Sequence, residues 1–213
     1  MLIRFAICIA LLGLAGCSYQ IDPQSPQPPA PFMAYADRVP GKWLLVIDAG
    51  AVTARPAIAE PRCDRFDYSM DFSKTFAQMA ASTFEKVADD IRVADHPPAR
   101  AEVSSGGYTG VIVLRVTEFH PRMKVEGVLD PTADADAEIA GTIVVTKDGK
   151  HLADANETGK GAGTHDAGVI CGGAADAMSD ASNLALQDLI RKFAERFANS
   201  HDVRYSVPGF TPQ

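Results

Sequence analysis

The sequence predicts an α+β domain in which a mostly antiparallel sheet of about four strands carries two helices on one face, in the order β-α-β-β-β-α. Three observations predict it. Two stretches of about twenty residues, near 71–91 and 178–198, repeat apolar residues at steps of three and four, the spacing of a helix with one buried stripe. Between them lie apolar or alternating runs of strand length, and Asp148-Gly149 sits between Lys147 and Lys150 as a two-residue hairpin turn. Five of the ten phenylalanines (Phe72, Phe76, Phe84, Phe193, Phe197) fall on the two helices, so the core is expected between helices and sheet.

Residues 1–16 read as a secretory signal. Arg4 supplies the positive start, and Phe5 to Gly16 are uncharged and mostly apolar. Twelve such residues are too few for a spanning helix, which needs roughly 20. Leu14-Ala15-Gly16-Cys17 resembles the lipobox of bacterial lipoproteins. That resemblance implies cleavage before Cys17, a diacylglyceryl group on its thiol and acylation of its new amino group. Several acyl chains at about 0.8 kcal/mol per buried CH₂ hold a protein on a bilayer. Ser18, where an aspartate would favour inner-membrane retention, implies the periplasmic face of the outer membrane.

Residues 17–40 read as the lipidated cysteine followed by a proline-rich tether. Pro23, Pro26, Pro28, Pro29 and Pro31 favour polyproline II, so about twenty residues could reach on the order of 60 Å as a semi-stiff spacer, the alternative being an arm packed on the domain. A single periplasmic domain is expected over 41–202. Trp43 to Ala49 is the first strand. The first helix follows a loop holding Pro56, Pro61 and Cys63, with Thr75 and Gln78 suggesting a capping box. Val111 to Phe119 is the clearest strand, and an acidic, turn-prone stretch from Asp130 to Asp136 follows it. Ala137 to Thr146 alternates, with Ile139, Ile143 and Val145 on one face. His151 to about Ala162 returns as a polar, glycine-rich strand at a sheet edge. The closing helix places Asp176 and Asp180 at its start and Arg191, Lys192 and Arg196 toward its end, as the macrodipole favours. Residues 203–213 read as a flexible tail.

Four cysteines test this topology. Cys8 leaves with the signal and Cys17 is the anchor, so Cys63 and Cys171 remain, and an oxidising periplasm favours bridging them. If strand direction alternates as drawn, both helices start at one end of the sheet, with Cys63 and Cys171 in the loops before them. The topology therefore predicts a Cys63–Cys171 disulfide.

The order of elements resembles the YajG-type outer-membrane lipoproteins. The matching features are the lipobox at Cys17, the helix from Asp71, the strand Val111 to Phe119, the 135–154 hairpin and the Ser179, Ser182, Asn183 start of the last helix. Such small αβ lipoproteins act as accessory factors for envelope assembly or export, which implies a class of role and no mechanism.

Little in the chain points to catalysis. His96, His120, His151, His165 and His201 lack zinc-site spacing, although His151 and His165 could meet across neighbouring elements. Asp134, Asp136 and Glu138 lack the glycine and further ligands of a calcium loop. Gly159-Lys160-Gly161-Ala162-Gly163-Thr164 has neither P-loop nor dinucleotide spacing and reads as an edge strand with a flexible exit. Twenty basic against 27 acidic residues, net −7, argues against nucleic acid as a partner. The sequence thus predicts a non-catalytic, lipid-anchored accessory or adaptor factor of the outer envelope, without metal or cofactor. Its partners would be the membrane, through the lipid, and an envelope protein or polymer reached by edge-strand addition at 151–161. The alternative is a carrier or sensor of an apolar ligand, such as a lipid, held between helices and sheet.

Overall fold

A computed structural model describes residues 18–21, 27–58, 61–64, 66–127, 130–168 and 171–207. The long elements are β2 (Val39–Asp48), α2 (Ser73–Val87), β6 (Ala88–Ala94), β7 (Gly110–Glu126), β8 (Thr132–Lys147), β9 (Lys150–Asp166) and α4 (Gly172–Asn199). Shorter ones are β1 (Ser18–Ile21), β3 (Thr53–Ala54), β4 (Ala57–Ile58), α1 (Pro61–Asp64), β5 (Asp67–Asp71), α3 (Arg100–Ser105) and α5 (His201–Tyr205).

The fold is α+β, but the main sheet is larger and more mixed than the sequence predicts. Six strands form it, in the order β6-β2-β7-β8-β9 with β4 also on β7, and a second sheet runs β1-β5-β3. The β7-β8-β9 meander is antiparallel, whereas β2 pairs in parallel with both β6 and β7. β6 is the strand the sequence hides. Its Ile91 continues the helical spacing from Phe72, yet α2 stops at Val87 and the chain turns back beside β2. No side chain caps the start of α2, so the expected Thr75–Gln78 box does not form. Asp71 Oδ1 instead accepts from the Ser73 amide at 2.9 Å.

β7 runs well past Phe119 because a bulge at Thr117 shifts its phase. Ile112, Leu114 and Val116 face inward before the bulge, and Phe119, Met123 and Val125 do so after it. The acidic stretch from Thr132 is accordingly strand rather than turn. Asp136 pairs with Arg122, Glu138 with Lys160, and Asp134 accepts from the Thr164 hydroxyl, all on the open face of the sheet.

Both long helices lie on the other face, α2 beside β2 and α4 over β8 and β9. Trp43, Phe84 and Phe197 meet at their crossing, with ring centroids 5.2 Å apart for Trp43–Phe197 and 5.6 Å for Phe84–Phe197. All three are fully buried. The glycines of β9 belong to this packing and are no flexible exit. A methyl built on Gly159, Gly161 or Gly163 would stand 2.1–2.3 Å from the carbonyl oxygens of Ala185, Ala181 and Ala177 respectively. Two strand residues advance about 6.6 Å and four helix residues about 6 Å. Alternate glycines therefore keep step with alanines four apart, and helix and strand backbones nearly touch.

The described parts of the proline-rich segment, residues 18–21 and 27–40, do not form a free tether. Ser18–Ile21 pairs in parallel with β5, and Ile21 is buried. From Pro28 the chain lies as a strap along the far ends of α2 and α4. Lys86 Nζ donates to the Pro28 carbonyl, the Phe32 amide to Glu195, and the Ala34 amide to Asn199, which in turn donates to the Phe32 carbonyl. These bonds join main chain to side chain, so no apolar period marks them in the sequence. The domain also extends beyond residue 202. Val203 and Arg204 are fully buried in α5, and Arg204 donates to the carbonyls of Ala198 (2.6 Å) and Asp37 (2.9 Å) beneath the Tyr35 ring. Only residues 208–213 of the expected tail lie outside the described residues.

Candidate functional site

Chain direction gives the molecule two distinct ends. β2, β7 and β9 all point the same way, so α2 and α4 both begin at the end where those strands finish. There Cys63 and Cys171 are bridged, their Cα atoms 5.8 Å apart across 108 residues. Tyr68 donates its hydroxyl to the Cys171 carbonyl at 3.1 Å, which joins the small sheet to the start of α4. Burial, with Tyr19 adding to it, pushes the Tyr68 phenol up to about 12, so it keeps the proton it donates. Cys17 lies outside the described residues and is one peptide bond from Ser18, the first residue of the small sheet.

At the opposite end an open cleft of about 510 Å³ separates the start of β9 from the last turns of α4. Leu152, Ala153, Asp154 and Glu157 form one wall, and Lys192 to Ser200 the other. α4 rises about 1.5 Å per residue, so Gly172 and Arg196 stand roughly 36 Å apart. Within the cleft Arg196 Nε donates to Glu157 at 2.6 Å, and Glu195 accepts from Arg191 at 2.9 Å. The strap closes the third side through Glu195 and Asn199, which hold Phe32 with its ring largely exposed.

The edge of β9 is guarded here rather than bare, contrary to the edge-strand reading. The Thr158 carbonyl and Lys160 amide point away from β8, as those of every second residue do along an antiparallel strand. Lys192 Nζ donates to the former at 2.5 Å, and Asp188 Oδ2 accepts from the latter at 3.2 Å. Asp188 also receives Arg191 and Lys192 at 2.5 and 2.8 Å. Partial burial pushes its carboxyl upward, but the hydrogen bonds from Lys192, Arg191 and the Lys160 amide outweigh this and hold it below the usual carboxylate range. Two helix side chains thus occupy the groups that an incoming strand would use at 158–160. The sequence hints at this only through Asp188 and Lys192 standing four apart.

The remaining sequence candidates stay apart. His151 and His165 sit fourteen residues apart on β9, about 46 Å, and do not meet. His165 pairs with Asp180 at 2.8 Å. Among the described residues no group of three or more His, Cys, Asp or Glu is placed to hold a metal ion, and no helix is long and apolar enough to cross a membrane.

No family model matches the sequence, and no curated protein matches it. Among solved structures, the chain is similar to a Xanthomonas campestris protein of family DUF330, with 13% identity, 84% of this chain and 92% of that one covered, and a TM-score of 0.47. A homolog of neuraminyllactose-binding hemagglutinin from Helicobacter pylori gives 9% identity, coverage of 86% and 97%, and a TM-score of 0.49. A minor lipoprotein from Acinetobacter baumannii gives 12% identity, coverage of 71% and 87%, and a TM-score of 0.36. These carry DUF330, hemagglutinin and lipoprotein names rather than the YajG type that the element order resembles.

Proposed function

We propose that this protein is a non-catalytic, lipid-anchored adaptor of the bacterial outer envelope, fixed at Cys17 and offering the cleft between β9 and α4 to an envelope protein. One observation carries the reading. The segment that would bear the lipid joins the molecule at one end, and the cleft opens at the other, roughly 36 Å along α4. A partner could therefore be engaged away from the anchoring surface. The cleft presents paired charges, Glu157 with Arg196 and Glu195 with Arg191, beside polar main chain. Such walls suit a polar protein segment. Strand addition onto β9 is confined to the stretches on either side of the capped 158–160 pair.

The carrier alternative has less behind it. A lipid held between helices and sheet would need the space that Phe197 fills in contact with both Trp43 and Phe84. The adaptor reading is tested with a photocrosslinking residue in place of Asp154 in living cells. A reproducible adduct with one envelope protein, lost when Arg196→Glu reverses a cleft charge, is the expected result. Cys17→Ser should release the protein from the membrane fraction. No reproducible adduct, or unchanged fractionation of Cys17→Ser, would overturn the proposal.

A further inference from the structure

The proline-rich segment places any lipid differently from a spacer. Consecutive Cα atoms lie about 3.8 Å apart, so a chain anchored at Cys17 has no slack before β1 begins at Ser18. β1 is itself firmly seated. It pairs with β5 from Ser18↔Asp67 to Ile21↔Met70, Tyr19 stacks on Tyr68 with centroids 5.5 Å apart, and Phe66 meets Tyr19 edge-on at 5.5 Å. β5 follows the cysteine bridged to α4, and Tyr68 is hydrogen-bonded to that bridge's other residue. From Pro28 onward the segment that would have lifted the domain is instead laid along its side as the strap.

We infer that the domain rests directly on the bilayer, through the surface around Ser18 and Asp67 formed by Arg55, Pro56, Ile58 and Phe66. This rests on the lipoprotein reading and adds how the anchored end meets the lipid. The chemistry of that surface suits a headgroup layer. A shallow cleft of about 320 Å³ opens there, with Pro56, Ile58 and Phe66 beside Arg55, Asp64 and Asp67. Arg55 and Asp67 stand 3.4 Å apart with side chains 77% and 45% exposed, so their pairing holds the guanidinium only weakly and leaves it able to meet a lipid phosphate. Residues 53–67 carry Arg55, Arg62 and Arg65 against Glu60, Asp64 and Asp67. Along the sequence the segment is neutral in a chain of net charge −7, so an anionic surface repels it less than it repels the chain as a whole.

The test uses the full acylated chain in vesicles of phosphatidylethanolamine and phosphatidylglycerol containing a lipid with a diazirine near its headgroup. Adducts mapped by mass spectrometry should concentrate on 53–67 and be sparse on 148–157 and 192–200. A Gly/Ser insertion of about fifteen residues between Cys17 and Ser18 restores the missing slack and should cut the 53–67 adducts about fivefold. Intact mass separates the two levels of the claim. Acyl chains on Cys17 with adducts spread evenly, or gathered on the cleft, overturn direct contact while the lipoprotein reading stands. No acyl mass on Cys17 overturns both.

Discussion

Replacing Gly161 by alanine tests how closely α4 must approach β9. The added methyl would stand 2.1 Å from the Ala181 carbonyl oxygen, 2.6 Å from the Ala185 nitrogen and 2.8 Å from Leu184 Cβ. Two of these are helix backbone and cannot swing aside. α4 must bow or lift by roughly an ångström, a gap that forfeits about a quarter to half of the dispersion energy of the contacts it opens. Overpacking costs about 1–3 kcal/mol, and a backbone obstruction belongs at the upper end. Relief of glycine's excess chain entropy in a strand returns about 0.5–1 kcal/mol. The net expectation is a loss of about 2 kcal/mol, or roughly 4–8 °C in Tm for a chain of this size. Gly50→Ala is the control. Its nearest neighbour would be Asp48 Oδ1 at 3.5 Å, so it should stay within about 0.5 kcal/mol of wild type. Denaturant and thermal unfolding read both variants. A Gly161→Ala protein as stable as wild type, or a Gly50→Ala protein equally weakened, would refute the close-packed reading of β9.

Cys63→Ala should cost up to about 4.7 kcal/mol on the chain-entropy account of a loop spanning 108 residues, and reductant should lower the wild-type Tm to match; a Tm indifferent to reductant would show that the bridge is absent in solution. Asp188 is held below its unfolded value of about 3.9, so the unfolded state binds more protons between the two values. Its contribution is present above that value and lost as pH falls through the folded one, so Asp188→Asn should flatten the acid limb of a stability profile. Tyr68 is shifted the other way, to about 12. Its contribution is complete below about pH 10 and lost as pH rises toward 12, a loss that Tyr68→Phe should abolish in alkaline unfolding while costing about 1 kcal/mol at neutral pH. Arg204→Leu removes the donors to Ala198 and Asp37, and should cost about 2–3 kcal/mol and open residues 28–38 to limited proteolysis.

Much of the frame was legible because it rests on local periodicity. The α2 and α4 stripes, the inward Ile139, Ile143 and Val145, and the Asp148-Gly149 turn each follow from the positions of a few neighbouring residues. Strand and helix parity then sufficed to put Cys63 and Cys171 at one end. Legibility failed where a period broke or was too short. One bulged residue at Thr117 made β7 look half its length, and four residues of β1 carry a single inward apolar side chain, Ile21. β6 was concealed because its Ile91 falls in step with the helix before it.

The candidate site lay further from reach. Its cleft, its guarded edge and the strap depend on Lys192 meeting Thr158, Asp188 meeting Lys160, and Asn199 meeting Phe32 across separations from 28 to 167 residues. Composition and spacing settle what a residue can do with neighbours a few positions away: which faces turn inward, where the chain reverses, and which stretch resembles a secretion signal. Whether a glycine run is a loose edge or a bearing surface, and whether prolines form a spacer or a strap, depends on which distant backbone arrives beside them. Those contacts leave no local pattern, because a main-chain amide or carbonyl looks the same whatever side chain it carries, and only the folded chain selects its partner.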